Sequence, residues 1–399
     1  MTARPSEIAR AAMAAHRDSK GFEATQTIRA SGLEVVARIR HLPPHRLTVE
    51  YSSYRSPFLD LDELLTGNPE FTGEDLTGMS FVTDGRTTWV HDPGKAVAWH
   101  KPHRWLFDPV PGGASIGELA FLATLTKDFL LRDAGTETVR GRSTHRLGIR
   151  PKQPFHTDLV RSTRFVIRHG VIAFDEETLF PVRITLYPIP DTPVYAICGP
   201  SGALTIEYND VRTTPPGEDL FEFTPPDGTR SFHEKDVSLD EAHSHAPFPF
   251  SVDGLLERGF APLPGGIHLT AEQDEERGYL TALLALPGGD GPEAMLTVRA
   301  GNYLSPNMGR RRAAIADAGE PLPLGDATAR LLDRSDAWSE HLPVMEKAQH
   351  HLELAWERDG VFWFLAAEGV VRDDLIELAD TLVRSDAAAV PTPNDDDAA

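Results

Sequence analysis

Between Phe22 and Gly228 the chain falls into short runs of alternating apolar and polar residues, each closed by a Gly, Pro, Asn or Asp turn. A period of two sends successive side chains to opposite faces of a strand. A long series of such runs folds as antiparallel sheet with one buried face and one wet one. In Arg46-Leu-Thr-Val-Glu-Tyr51 the apolar Leu47, Val49 and Tyr51 alternate with polar residues. Met79 to Val82 and Thr87 to His91 flank Asp84-Gly85, a hairpin signal. Further strands are expected at Ala96 to His100, Arg142 to Ile149, Arg164 to Ile167, Val171 to Asp175, Val182 to Tyr187 and Ala203 to Val211. Leu59 to Leu76 reads as loop. Leu220, Phe221 and Phe223, between Pro215-Pro216 and Pro225-Pro226, are expected to dock on the sheet.

Two helices interrupt this pattern. Pro5 to Arg17 places Ile8, Ala11, Ala12 and Ala15 on one side, with Ser6 as its expected cap. Ser115 to Leu131 reads as one long helix, opened by a Ser115–Glu118 capping box. Residues 231–249 carry charge, three His and two prolines in Pro247 and Pro249, and read as a linker. A smaller domain over 250–386 follows. Gly278 to Leu286 and Ala294 to Ala300 form one hairpin, and Leu352 to Leu365 turns at Asp359-Gly360. Leu375, Leu378, Ala379 and Leu382 have helical spacing, with Asp374 and Glu377 as a capping pair. Residues 387–399 read as a disordered acidic tail, leaving 1–230 as the first domain.

Composition removes whole classes of function. Lys and Arg number 39 against 60 Asp and Glu, a net charge of −21, which argues against general nucleic-acid binding. Arg310, Arg311 and Arg312 form one basic run, read as a solvated loop. The single cysteine, Cys198, excludes an internal disulfide. No run of 18 apolar residues is present, so no integral membrane protein is expected. Met1 to Lys20 lacks the apolar core of a secretory signal, so the chain as written is expected to stay where it is made.

Few constellations suggest chemistry. Gly113-Ala-Ser115-Ile-Gly117 fits the nucleophile elbow of hydrolases, but that elbow needs a buried strand before the serine. Asp108 to Gly113 is loop-like, and Ser115 already has a capping task, so the structural reading is preferred. His243-Ser-His245, with His233 and Asp240, could ligate zinc, yet the spacing fits no closed site. Adjacent His350 and His351 point to opposite faces of a strand. His100, Lys101, His103, Arg104 and Trp105 could form a polar lip, though a plain surface loop explains them too. Neither a P-loop nor a strand–GxGxxG–helix is present, and no cofactor is expected.

The order of features resembles the lipoprotein-carrier (LolA-like) fold and, in layout, the sigma-factor regulators of the MucB/RseB type. Phe22 to Ile28 is similar to the opening strand, and Leu42-Pro-Pro-His-Arg-Leu-Thr-Val-Glu-Tyr51 to the second-strand pattern. Thr83 to Pro93, Gly135 to Leu147, Phe174 to Ile184, Tyr208 to Val211 and Phe221 to Pro226 continue the likeness in order, over residues 20 to 228. The hairpin and helix of Leu352 to Arg384 are similar to the small second domain of the MucB/RseB type.

The resemblance implies an α+β protein: a curved, half-open antiparallel sheet wrapped around a helix, then a smaller α+β domain. It implies non-enzymatic binding of an acyl chain, lipid or lipoprotein on the concave face. Leu47, Val49, Tyr51, Phe81, Val97 and Trp99 are the expected lining, although residues of a filled core would look the same. A protein partner, an anti-sigma factor acting through residues 250–386, is the alternative function. A serine hydrolase using Ser115 is the remote one. The resemblance also implies a place in the cell envelope.

Overall fold

The computed structural model describes residues 4–30, 33–55, 76–103, 121–152, 167–188, 202–272, 276–288, 292–303, 306–333 and 351–389. The chain divides into two compact units, Met1–Thr229 and Arg230–Ala399. Unit 1 opens with helix α1, Pro5–Arg17, at the expected bounds. Its cap is Arg4, not Ser6, which lies inside the first turn. Glu7 Oε2 accepts from the Arg4 amide at 2.9 Å and so satisfies one of the donors a helix start leaves open.

Among the described residues eleven strands follow: β1 Phe22–Arg29, β2 Glu34–Leu42, β3 Arg46–Arg55, β4 Ser80–Thr83, β5 Thr87–Asp92, β6 Val97–Pro102, β7 Phe129–Val139, β8 Arg142–Pro151, β9 Ile167–Asp175, β10 Pro181–Pro188 and β11 Leu204–Arg212. All pair antiparallel in the order β6-β5-β4-β3-β2-β1-β11-β10-β9-β8-β7. Most strands pair with their neighbour in the chain, and β1 closes the long-range join to β11. No register among the described residues joins β6 to β7, and the sheet is open, as expected. Phe221 docks fully buried, Thr48 Oγ1 donates to the Leu220 carbonyl at 3.1 Å, and Phe223 lies 5.5 Å from Trp89.

The expected long helix is corrected where it can be seen. Ser115 and its motif lie outside the described residues. Phe121–Thr124 is a 3-10 turn and Leu125–Asp128 a single α turn, α2. Phe129, Leu130 and Leu131 begin strand β7 instead. Their apolar run fits either state locally, and pairing with β8, Phe129 opposite Pro151 and Leu131 opposite Ile149, decides it. Leu122 and Leu125 are fully buried, and Met13 of α1 meets Thr126 across 3.7 Å. The expected loop at Leu59 to Leu76 and the strand at Arg164 to Ile167 lie outside the described residues except at Leu76 and Ile167.

Unit 2 starts at Arg230, so the segment read as a linker belongs to it. Strand β12, Arg230–Asp236, and helix α3, Leu239–His245, occupy it. Phe232 is fully buried, and Ser238 and Glu241 make a complete capping box, signals that the surrounding charges hid. After α4, Asp253–Glu257, come β13 Ala261–Glu272, β14 Gly278–Pro287, β15 Pro292–Gly301, α5 Pro306–Ala318, β16 Glu320–Leu324, β17 Ala327–Asp333, β18 His351–Arg358, β19 Val361–Glu368 and α6 Arg372–Ala389. The order β12-β13-β14-β15-β19-β18-β17-β16 is again antiparallel throughout. Leu375, Leu378, Ala379 and Leu382 of α6 enter its core, as their spacing predicts. Glu377 does not cap that helix; it pairs with Arg258 at 2.6 Å. α6 extends to Ala389, so the expected tail begins in helix, and its remainder lies outside the described residues.

The Arg310–Arg312 run lies on α5, not on a loop. Arg311 pairs with the buried carboxylate of Glu353 at 2.6 Å and sits 5.3 Å above the Phe364 ring. Arg312 pairs with Glu357 and covers Phe362 in the same way. The two arginines fasten helix to sheet by charge and by contact with aromatic faces.

Candidate ligand-binding site

Directly opposed residues of antiparallel strands share a face, so register shows which side chains line up. In unit 1 one row runs Trp99–Val90–Phe81–Val49–Ile39–Ala24 across β6, β5, β4, β3, β2 and β1. A second runs Tyr54–Val35–Ile28–Ile206–Ile184–Ile172–Leu147 across β3, β2, β1, β11, β10, β9 and β8. Between them Tyr51 faces Ala37, Ala37 faces Gln26, and Gln26 faces Tyr208. Gln26 Nε2 donates to Tyr208 Oη at 3.0 Å, so the polar pair inside this apolar face satisfies itself.

The six expected residues therefore share one face. Val49, Phe81 and Trp99 are consecutive members of one row, with Val90 interposed. Leu47 and Tyr51 flank Val49 at the strand period, and Val97 flanks Trp99. None is more than 8% exposed. Cross-strand partners were not legible: Val90, Ile39 and the isoleucine row on β9 to β11 belong to the same face. The repeated Ile172, Ile184 and Ile206, each inside an alternating strand, were the available signal.

The face leads to a cavity. Leu47 pairs with His41, and His41 pairs with Phe22. Phe22 and His41 line a space of about 590 Å3 with Phe180, Pro181, Pro43 and Pro44; His16 and Lys20 lie on its α1 side. That volume is within the range of roughly 300–1,000 Å3 usual for small-molecule pockets. The Phe22 ring is 5.0 Å from Phe180 and 5.6 Å from His41, and Phe180 meets Tyr208 edge-on at 5.4 Å. None of the six expected residues lines this cavity. Leu47 is joined to it through His41.

The backbone here requires glycine. Gly21 has φ +127°, and a Cβ on it would come within 2.6 Å of the His41 carbonyl oxygen. Burial lowers the His41 imidazole from 6.5 to about 4, with His16 and His45 adding to the effect against a hydrogen bond to the Pro44 backbone. His16 is lowered by burial as well. The ring is thus neutral at pH 7, and its buried Nε2 has no hydrogen-bond partner among the described residues. Sequence reasoning passed over Phe22, His41 and Phe180 because each belongs to a different strand or turn.

The opposite face is held by charge. Glu207 accepts from Arg183 at 2.8 Å, with Arg29 and Arg140 each at 3.3 Å. Burial alone would raise its carboxyl, and the Arg183 and Arg140 guanidiniums bring it below the usual value. Glu23 joins Arg38 and Arg40, and Arg40 reaches Glu50 at 2.8 Å.

The other histidines singled out in the sequence make local contacts. His100 lies 4.5 Å from the Trp89 ring, and His103 Nδ1 meets Thr88 Oγ1 at 3.1 Å, while Arg104 and Trp105 are outside the described residues. His245 Nδ1 meets the Glu241 carbonyl inside α3, and His243 approaches Phe250. No group of three metal-ligating side chains occurs among the described residues. His351 begins β18, and His350 is outside them. No helix among the described residues is long and apolar enough to cross a membrane.

No protein-family model and no curated protein matches the sequence. Solved structures do. MucB in complex with periplasmic MucA is 13% identical, with 94% of this chain and 97% of that chain covered and a TM-score of 0.31. Mycobacterium tuberculosis lipoprotein LppX is 15% identical over 54% of this chain and 100% of that chain, TM-score 0.31. A LolA superfamily protein from Nitrosomonas europaea is 12% identical over 56% of this chain and 99% of that chain, TM-score 0.26. Two of these, MucB and the LolA superfamily, are the groups that the sequence resembles.

Proposed function

We propose that unit 1 is a non-enzymatic binding module for an apolar ligand of the acyl-chain class, a lipid or a lipoprotein's acyl chain. One observation carries the reading. Two apolar rows, one across six strands and the other across seven, lie on one face of the open sheet, and that face runs through Leu47 and His41 into a cavity walled by Phe22 and Phe180. Each methylene withdrawn from water there contributes about 0.8 kcal/mol. Aromatic walls and a neutral histidine suit such a chain, and Arg17, Asp18 and Lys20 add charge on the α1 side. Leu47, Val49, Tyr51, Phe81, Val97 and Trp99 are proposed as the inner wall.

A fatty acid with a diazirine in its tail tests this. Photolysis followed by peptide mass spectrometry should place adducts on β1 to β3 and around Phe180. Adducts scattered over the surface, or none at saturating ligand, would overturn it. A protein partner acting through residues 250–386, as a regulator would use, is kept as a separate proposal. Its test is a pull-down in which deleting those residues abolishes capture.

A further inference from the structure

At the β7 end of the sheet lies a second hollow, of about 820 Å3. Leu130, Leu131, Arg132, Arg150, Lys152 and Arg168 line it, together with His169. Its charge runs against the whole chain. The protein carries −21, yet the hollow has four permanent cations and no carboxylate in its described lining. Elsewhere on the same sheet arginines are matched to acids: Arg29, Arg140 and Arg183 meet at Glu207, and Arg38 and Arg40 at Glu23. Among the described residues no carboxylate forms an ion pair with Arg132, Arg150, Lys152 or Arg168. Among the described residues Lys152 Nζ donates to the Thr126 and Lys127 carbonyls, at 2.9 and 2.7 Å, and Arg168 Nε to His169 Nδ1. Uncompensated like charges repel one another, a cost that an anionic partner removes.

The placement is built into the strands. Arg132 lies across Gly148, where any Cβ would come within 2.6 Å of its Cγ and Nε. Glycine on β8 thus leaves room for the stem of Arg132. Leu130 and Arg150 are direct cross-strand partners two register positions away, and both are exposed. His169 is stacked on Tyr187 at 4.4 Å. Leu130 is 55% exposed, the most exposed large apolar side chain described.

Apolar projection inside a ring of cations is the pattern of a surface that meets lipid headgroups. We propose that this hollow docks the protein on the surface of an anionic phospholipid bilayer, with Arg132, Arg150, Lys152 and Arg168 on the headgroup phosphates and Leu130 entering the acyl boundary. The exposed leucine favours a bilayer over an acidic protein segment or free phosphate. The proposal is independent of whether the apolar face of the sheet holds a ligand.

Flotation of the full chain with vesicles tests it, using equal parts phosphatidylglycerol and phosphatidylcholine against phosphatidylcholine alone. The protein should float with the anionic vesicles and not with the neutral ones, and salt should release it. Arg132→Gln and Arg150→Gln should each lower partitioning about fivefold, and the pair about twenty-five-fold. Leu130→Ser should weaken it with charge unchanged. All three positions are exposed, and circular dichroism confirms that the variants keep the fold. Equal binding to both vesicles, no binding to either, or unaltered binding by the double variant would overturn the proposal. So would capture by polyglutamate, lost in the double variant, without any capture by vesicles, because the partner would then be an acidic protein segment.

Discussion

Acid should weaken unit 1 through His41 before any carboxylate contributes. The ring is buried and neutral, lowered from 6.5 to about 4. A folded-state value below the unfolded one means that the fold prefers the neutral form. The stabilisation is therefore complete above pH 6.5 and is lost as pH falls from 6.5 toward 4. At 1.36 kcal/mol for each pH unit, the gap caps the effect at about 3 kcal/mol. Between about pH 7.5 and pH 5, about 2 kcal/mol of it disappears. Glu23, Asp84, Asp175 and Glu207 are all held below their usual values and stay ionised in that window. His16, His91 and His169 are lowered too and act in the same direction, so the wild-type slope alone is not diagnostic. The variant His41→Phe keeps a ring beside Phe22 and removes the titration. Urea unfolding at both pH values, followed by tryptophan fluorescence, should show a wild-type loss about 2 kcal/mol larger than the variant's. Equal losses would refute the reasoning, because His41 would then titrate alike in both states and could not be buried neutral at the cavity.

Other perturbations test separate parts of the account. Phe81→Ala, at a fully buried position in the middle of one apolar row, should cost about 3–5 kcal/mol in chemical denaturation. Gly21→Ala should destabilise unit 1 by about 1–3 kcal/mol, since it combines a disfavoured φ with a clash against the His41 carbonyl; a shift in melting temperature reads this out. Arg311→Ala should destabilise unit 2 by about 3–5 kcal/mol by stranding the Glu353 carboxylate, and Arg311→Met with Glu353→Leu should recover most of that.

Local pattern made much of this fold legible. The strands around Leu47, Phe81, Val90 and Trp99 follow from alternation, the hairpin at Asp84-Gly85 from its turn, and α1 from Ile8 and Ala12. What local pattern could not supply was long-range partnership. Nothing near Phe22 says that β1 joins β11, and nothing near Ile184 says that it meets Ile172 and Ile206. The Phe129-Leu130-Leu131 run suits helix and strand equally, and only β8 decides between them. In β12 one buried residue, Phe232, outweighs the charged neighbours that suggested a linker. Arg311 shows the same limit: a basic run looks solvated until Glu353 is brought beneath it. The site was half legible for a related reason. Alternation marks the apolar wall, whereas the cavity is formed by Phe22, His41 and Phe180, which converge from distant parts of the chain.

The central claim is that the apolar face of unit 1 takes up an apolar ligand. Native mass spectrometry of the purified full chain, with organic extraction and lipid analysis of the same sample, tests it most directly. The account predicts a bound lipid, or uptake of an offered fatty acid, that a competing fatty acid displaces. A protein that stays at its bare mass in the presence of both fatty acids and phospholipids would contradict it.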